Sequence, residues 1–261
     1  MNENFNDIVN NIDINKTNIT TLESTIKTET IKIAPNGKKF IIQVQNDGTT
    51  IAVPVLPSNI TYIGNSLLFG FGTFGMAATR STEDYYYYIN SYLQEQGNTL
   101  TTNKVFGSTY EGSTTTSEAE NWLNNTLIPA LDVNKELVLI QLSDNVNTDE
   151  KRTYFQSEGA EKLVATIRQY APKARVVWMA AWYANTNNIT AIVNACKKYG
   201  ASFIDLRDLP NIEGNRSYVG AIYYDDNGEE HEITSAGVAS HPSSQGMRAI
   251  ADRVIETLFE V

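Results

Sequence analysis

From residue 58 onward, short apolar runs alternate with amphipathic stretches, and no other feature of the chain restricts its fold so tightly. Strands are predicted at 60–63, 103–106, 137–142, 174–180 and 202–205, and helices at 82–96, 116–127, 154–170, 187–199 and 243–259. The run Leu137-Val138-Leu139-Ile140-Gln141-Leu142 lacks polar alternation, the pattern of a parallel strand buried on both faces. Alternation of this kind predicts an α/β architecture, with a parallel sheet covered by helices on both faces. Binding sites in such sheets lie beyond the C-terminal ends of the strands, so polar residues just after strands carry the functional reading.

Four positions meet that condition or can reach it. Tyr62-Ile63-Gly64-Asn65-Ser66-Leu67 ends a strand in a small-residue turn that presents the hydroxyl of Ser66. Alone, such a serine reads more readily as a turn hydroxyl capping the next helix than as a nucleophile. Gly107 follows the second strand in Lys104-Val105-Phe106-Gly107-Ser108, and Asn145 follows the central one in Ser143-Asp144-Asn145. The chain has two histidines, and His241 lies in Ala239-Ser240-His241-Pro242, just before the terminal helix. A serine at a strand end with a distant histidine able to reach it has the parts of a nucleophile and its base.

These segments resemble the blocks of the SGNH (GDSL-type) hydrolases, over residues 58 to 261. Gly64-Asn65-Ser66-Leu67 stands where that family has Gly-Asp-Ser-Leu, with Asn65 in place of Asp. Gly107 is placed like the second-block glycine, Ser143-Asp144-Asn145 like Gly-x-Asn, and His241-Pro242 like the last block, Asp-x-x-His. The resemblance implies a flavodoxin-like three-layer sandwich and an acyl-enzyme mechanism with Ser66 as nucleophile and His241 as base. It also implies an oxyanion hole formed by the N–H groups of Ser66 and Gly107 and the amide of Asn145.

The chain departs from the family three residues before the histidine, where Val238 replaces the acid. A triad histidine without its carboxylate loses the group that fixes its tautomer and stabilises its charged form. Either a backbone carbonyl orients His241, or a displaced acid does, with Asp205 and Asp208 in Phe203-Ile204-Asp205-Leu206-Arg207-Asp208 the first two to examine. Asp225, Asp226, Glu229, Glu230 and Glu232 crowd the loop around His231, but their spacing matches no metal motif, so neither metal nor cofactor is expected. Gly70-Phe71-Gly72-Thr73-Phe74-Gly75 lacks the Lys-Ser/Thr of a phosphate-binding loop; its glycines fit a backbone passing close to the site.

Formal net charge is −10 and no Lys/Arg block occurs, which argues against a surface that tracks nucleic-acid phosphates. An acylated carbohydrate or another small ester is the more natural partner. Trp178, Trp182 and Tyr183, at and beyond the end of the fourth predicted strand, are candidates to line its cleft. Tyr85-Tyr86-Tyr87-Tyr88 and Tyr92 fall on a helix, where such a run points in all directions and part of it is core. The one cysteine, Cys196, sits at helical spacing among apolar residues and reads as a small core side chain. No apolar stretch approaches the ~20 residues needed to span a bilayer, and the acidic, polar N-terminus does not read as a signal peptide.

Residues 1–34 have a different character. Ile8, Ile12, Ile19, Leu22, Ile26 and Ile33, with Asn15 and Glu29 in two seam positions, follow heptad spacing, and isoleucine at both seam positions favours a homotrimer. The competing reading is a frayed leader, because its many Thr and Asn residues are poor helix formers. Residues 35–57 predict a β-hairpin, Lys38 to Gln45 and Thr49 to Val55, around Asn46-Asp47-Gly48. A stalk, a hairpin connector and a hydrolase-like head resemble the modular tail and fibre proteins of bacteriophages. A virion component acting at a bacterial surface is therefore one expectation for its location, and a cytoplasmic enzyme the other. The functional expectations are a serine esterase that removes acyl groups, acetyl first, from a carbohydrate, or a weak or inactive module of the same fold that holds a glycan. A lipase is disfavoured by the lack of an extended apolar lid.

Overall fold

The computed structural model describes residues 31–33, 39–44 and 49–259. The chain divides into two units, residues 1–55 and 56–261. In the first, β1 (Ile31–Ile33), β2 (Lys39–Val44) and β3 (Thr50–Pro54) form an antiparallel sheet in that order. Strands β2 and β3 pair from Phe40 opposite Pro54 to Val44 opposite Thr50, the expected hairpin. Ile33, the last residue of the heptad series, lies in β1, where Ile31-Lys32-Ile33 alternates with the period of a strand. The helical segment is thus corrected over these three residues. The heptads before them and the turn at Asn46-Asp47-Gly48 lie outside the described residues.

The second unit is the predicted α/β domain. Its five parallel strands are β4 (Asn59–Gly64), β5 (Thr101–Phe106), β6 (Leu137–Gln141), β7 (Arg175–Met179) and β8 (Ser202–Ile204), in the order β5-β4-β6-β7-β8. That is the flavodoxin-like order, in which the chain leaves the first strand to one side and returns on the other. The switch point falls between β4 and β6, so the crevice opens between the segments that follow them. Every residue of β6 is buried, as its unbroken apolar run requires.

The helices are α1 (Ser66–Phe69), α2 (Tyr85–Glu95), α3 (Ser108–Glu111), α4 (Thr116–Trp122), α5 (Asp149–Tyr154), α6 (Ala160–Tyr170), α7 (Thr186–Tyr199), α8 (Ala236–Ala239) and α9 (Ser244–Leu258). Helix α2 packs on α9, and α6 on α7, as the two outer layers. Side chains of Asp84, Thr115, Thr148, Asn185 and Ser243 cap α2, α4, α5, α7 and α9, which is why these helices begin where they do. The predicted helix 154–170 starts earlier, at the Thr148 cap, and passes through a wide π turn at Phe155–Gly159. The Gly159 carbonyl, at the end of that turn, accepts from the buried Tyr110 hydroxyl at 2.7 Å. The acidic loop around His231 is a two-stranded hairpin, β9 (Ile222–Tyr224) and β10 (Glu230–Glu232). Tyr85 is fully in the core whereas Tyr87 faces outward, and Cys196 is buried, its thiol pushed up to about 12 by burial. Among the described residues no helix is long and apolar enough to cross a membrane.

Candidate active site

Ser66 and His241, 175 positions apart, are brought together at the switch point. The Ser66 Oγ lies 2.9 Å from Nε2 of His241. Ser66 is the first residue of α1, and Asn65 caps that helix, its Oδ1 accepting from the Leu67 N–H at 3.1 Å. The glycine-rich segment folds back over this turn: Met76 N–H donates to Ser66 O at 2.8 Å. A Cβ on Gly75 would stand 2.2 Å from the Leu67 carbonyl oxygen, so only glycine lets the two backbones approach this closely.

His241 follows the short helix α8, and its ring is fixed from the far side. Nδ1 faces the Gly237 carbonyl oxygen at 2.9 Å and the Tyr183 hydroxyl at 3.1 Å. The Tyr183 hydroxyl also meets Ser240 Oγ at 2.8 Å, and Ser240 Oγ donates to Gly237 O at 2.7 Å. With Nδ1 protonated toward Gly237, Nε2 carries the lone pair that faces Ser66. Burial lowers the His241 pKa from the ordinary imidazole value, opposed by the Gly237 carbonyl and by Asp144. The neutral base is therefore the favoured form at neutral pH.

Of the two ways of orienting the histidine left open by Val238, the geometry has the carbonyl. Asp205 is bound to Arg207, at 2.8 and 2.6 Å, and Asp208 to Arg253, at 3.2 and 2.8 Å. Those arginines hold both carboxyls below the usual range, and neither acid bonds to His241. Both acids lie just past β8, where Asp205 pairs with Arg207, two residues on, and Asp208 with Arg253 of α9.

Three further expectations are corrected by packing. The Gly107 N–H extends the β4–β5 ladder and donates to Gly64 O at 2.7 Å, so it is committed to the sheet rather than to an oxyanion. Trp178 is 0% exposed within β7, its Nε1 donating to Leu142 O at 3.3 Å. Trp182 is 2% exposed and donates to Ser240 O at 3.1 Å, bracing the loop that carries His241. Neither tryptophan lines a cleft, because each is enclosed and has its N–H satisfied in the core. Tyr183 is half-buried and turns its hydroxyl to His241. The N–H of Ser66, in the first turn of α1, has no acceptor among the described residues.

The residue that sequence reasoning missed is Glu111, at the end of α3. It is 1% exposed and accepts from Asn65 Nδ2 at 3.0 Å, Ser143 N at 2.6 Å, Asn145 N at 3.4 Å and Asn145 Nδ2 at 2.7 Å. Asn65 Nδ2 also donates to Asp144 Oδ2 at 2.9 Å, and Asp144 accepts from Gln141 Nε2 at 2.6 Å and Tyr183 N at 2.8 Å. The Asn65 amide thus sits between two carboxylates. An aspartate at that position would place a third carboxylate beside the other two. Burial, and then Asp144, raise the Glu111 pKa to about 7 against the pull of its hydrogen bonds.

Outside this site, Asp225, Glu229 and His231 each bring one ligand-type atom within 4.8 Å of the others. His231 Nε2 lies 3.3 Å from Asp225 Oδ2, and Asp225 Oδ1 accepts from the N–H groups of Asn227 and Glu229.

No protein-family model matches the sequence, and neither does any curated protein. Similar folds occur among solved structures. An extracellular lipase from Streptomyces rimosus is 14% identical, with 77% of this chain and 99% of that one covered and a TM-score of 0.50. A Bacteroides uniformis protein named as a GDSL-like lipase is 16% identical, with 78% and 97% covered and a TM-score of 0.50. A two-domain esterase active on acetylated mannans is 15% identical over 77% of this chain and 48% of its own, with a TM-score of 0.51. At these identities the likeness establishes the SGNH hydrolase fold.

Proposed function

We propose that this protein is a serine ester hydrolase that removes acyl groups, acetyl in particular, from a carbohydrate. The observation that carries the reading is the Ser66 Oγ to His241 Nε2 distance of 2.9 Å, with the opposite ring nitrogen held by Gly237 O. Nε2 takes the Ser66 proton as Oγ attacks the ester carbonyl, and the resulting imidazolium returns it to the departing alcohol. Water then attacks the acyl enzyme by the same proton path in reverse. The Ser66 N–H and the Asn145 amide serve as donors to the oxyanion, each such donor being worth about 3 kcal/mol in the transition state. The choice of acetylated glycan is supported by a protein of this fold that acts on acetylated mannans, and by an acidic chain without a basic surface block. In this reading the heptads of residues 8–29 tether the activity as a trimer in a fibre-like assembly, and sedimentation equilibrium of the full chain should give the mass of three chains rather than one.

The test is hydrolysis of p-nitrophenyl acetate and of acetylated mannan by the wild type, Ser66→Ala and His241→Ala, with folding checked by circular dichroism. Both variants should lose at least about three orders of magnitude in kcat. Undiminished turnover in Ser66→Ala removes the serine from the mechanism.

A further inference from the structure

Glu111 has no part in the steps just described, yet it is the acidic side chain most deeply enclosed beside the nucleophile. Its carboxylate gathers groups from two separate segments: Asn65, which precedes Ser66, and the loop after β6, through Ser143 and Asn145. Ser143 is held at φ 107, a conformation costly for a residue with a side chain, and its N–H is aimed at Glu111 Oε1 at 2.6 Å. An ionised carboxylate only accepts hydrogen bonds, so it dictates that Asn65 and Asn145 both present their Nδ2 side to it. A protonated carboxyl carries a donor of its own and no longer fixes either amide.

Resting on the reading of Ser66 as nucleophile, we infer that Glu111 is a positioning residue whose ionised form assembles the oxyanion site, and whose protonation releases Asn145 and slows ester turnover. The groups that face it are accounted for. Asp144, on the loop after β6, shares the Asn65 amide with it and opposes its ionisation. Lys151 of α5 reaches Asn145 O at 3.2 Å rather than the carboxylate. Tyr110 on its own helix and Tyr154 on α5 are phenols whose pKa values burial raises, so they stay neutral through the working range. His241 lies across Ser66, and burial lowers its own titration from 6.5. Glu111 accepts its proton near 7 and burial holds the histidine below its ordinary value, so the glutamate step is the upper of the two.

The experiment is the pH dependence of kcat and KM for p-nitrophenyl acetate in the wild type and Glu111→Gln, with Ser66→Ala alongside. Wild-type kcat should fall as pH drops through about 7 and fall again at the lower histidine step. Glu111→Gln, which offers the amides one acceptor oxygen and a competing donor, should lose roughly 10- to 100-fold in kcat at pH 8.5 with KM within about twofold, and should lack the upper step. A wild-type profile with the histidine step alone, or a Glu111→Gln profile that keeps the upper step, overturns the assignment. Should Glu111→Gln fail to fold, carbon-13 labelling of the glutamate carboxyls in the wild type decides: one glutamate titrating near 7 supports the assignment, and none doing so overturns it. Turnover that survives in Ser66→Ala overturns the esterase reading instead, whatever the glutamate does.

Discussion

Replacing Tyr183 by phenylalanine removes one oxygen atom from the support of His241 and leaves the ring in place. In the wild type Nδ1 has two oxygen neighbours, Gly237 O at 2.9 Å and Tyr183 Oη at 3.1 Å. The tyrosine also orients Ser240, which in turn donates to Gly237 O. All three are neutral groups, and burial raises the Tyr183 phenol so that it remains so. Such a bond contributes about 1 kcal/mol net to the neutral imidazole and about 1.5–3 kcal/mol to the imidazolium, so the transition state should lose about 1 kcal/mol more than the ground state. By the same conversion, kcat should fall roughly 5-fold, far short of the ~10⁴-fold loss on disabling a triad aspartate. KM should not move, because the hydroxyl points at the base rather than into the cleft. Steady-state kinetics on p-nitrophenyl acetate measures both. A rise in KM with unchanged kcat would return Tyr183 to substrate contact; a loss beyond about 1,000-fold would make its hydroxyl, not Gly237, the principal partner of Nδ1.

Asn65→Asp should destabilise the fold by about 3–5 kcal/mol at neutral pH, because it replaces donors to Glu111 and Asp144 with a third carboxylate; the deficit in chemical denaturation should shrink on acidification, and an unchanged midpoint would refute the network. Gly75→Ala sets a methyl 2.2 Å from Leu67 O and should cost about 1–3 kcal/mol while displacing the Ser66 turn, so that thermal midpoint and kcat fall together. Glu111 also carries a stability signature. Its folded pKa, about 7, lies above the ordinary glutamate value of 4.5, so its favourable contribution is complete below about pH 4.5 and is lost as pH rises through about 7. At about 1.4 kcal/mol per unit the loss is about 3 kcal/mol, and the urea midpoint of the wild type relative to Glu111→Gln should decline over that window.

Holding Glu111 ionised therefore works against the stability of the fold while serving the arrangement around Ser66. Opposition of that kind is characteristic of functional sites. It also explains what the sequence could convey. The parallel strands were legible because burial on both faces leaves unbroken apolar runs such as Leu137–Ile140. Ser66 and His241 were legible because each sits in a short motif just past a strand or just before a helix. Glu111 was not, since Tyr110-Glu111-Gly112 has no local mark of burial and its side-chain partners are 46 and 34 positions away. The one available signal was the uncharged Asn65 in a motif that otherwise carries an acid. Nor could side-chain letters reveal Gly237, whose contribution is a backbone oxygen, or the commitment of the Gly107 N–H to the ladder. Trp178 and Trp182 misled for a related reason: strand ends and cleft walls coincide in this fold, and only packing separates a tryptophan that braces the His241 loop from one that meets a ligand.

Trapping the acyl enzyme tests the proposed chemistry most directly. The wild type and Ser66→Ala would be mixed with excess p-nitrophenyl acetate, quenched in acid within the first turnover and digested for mass spectrometry. One acetyl group on the peptide containing Ser66, absent from the variant, is the expected result. A wild type that releases p-nitrophenol catalytically with no acetyl at Ser66, or a variant that releases it as fast, would contradict a mechanism through this serine.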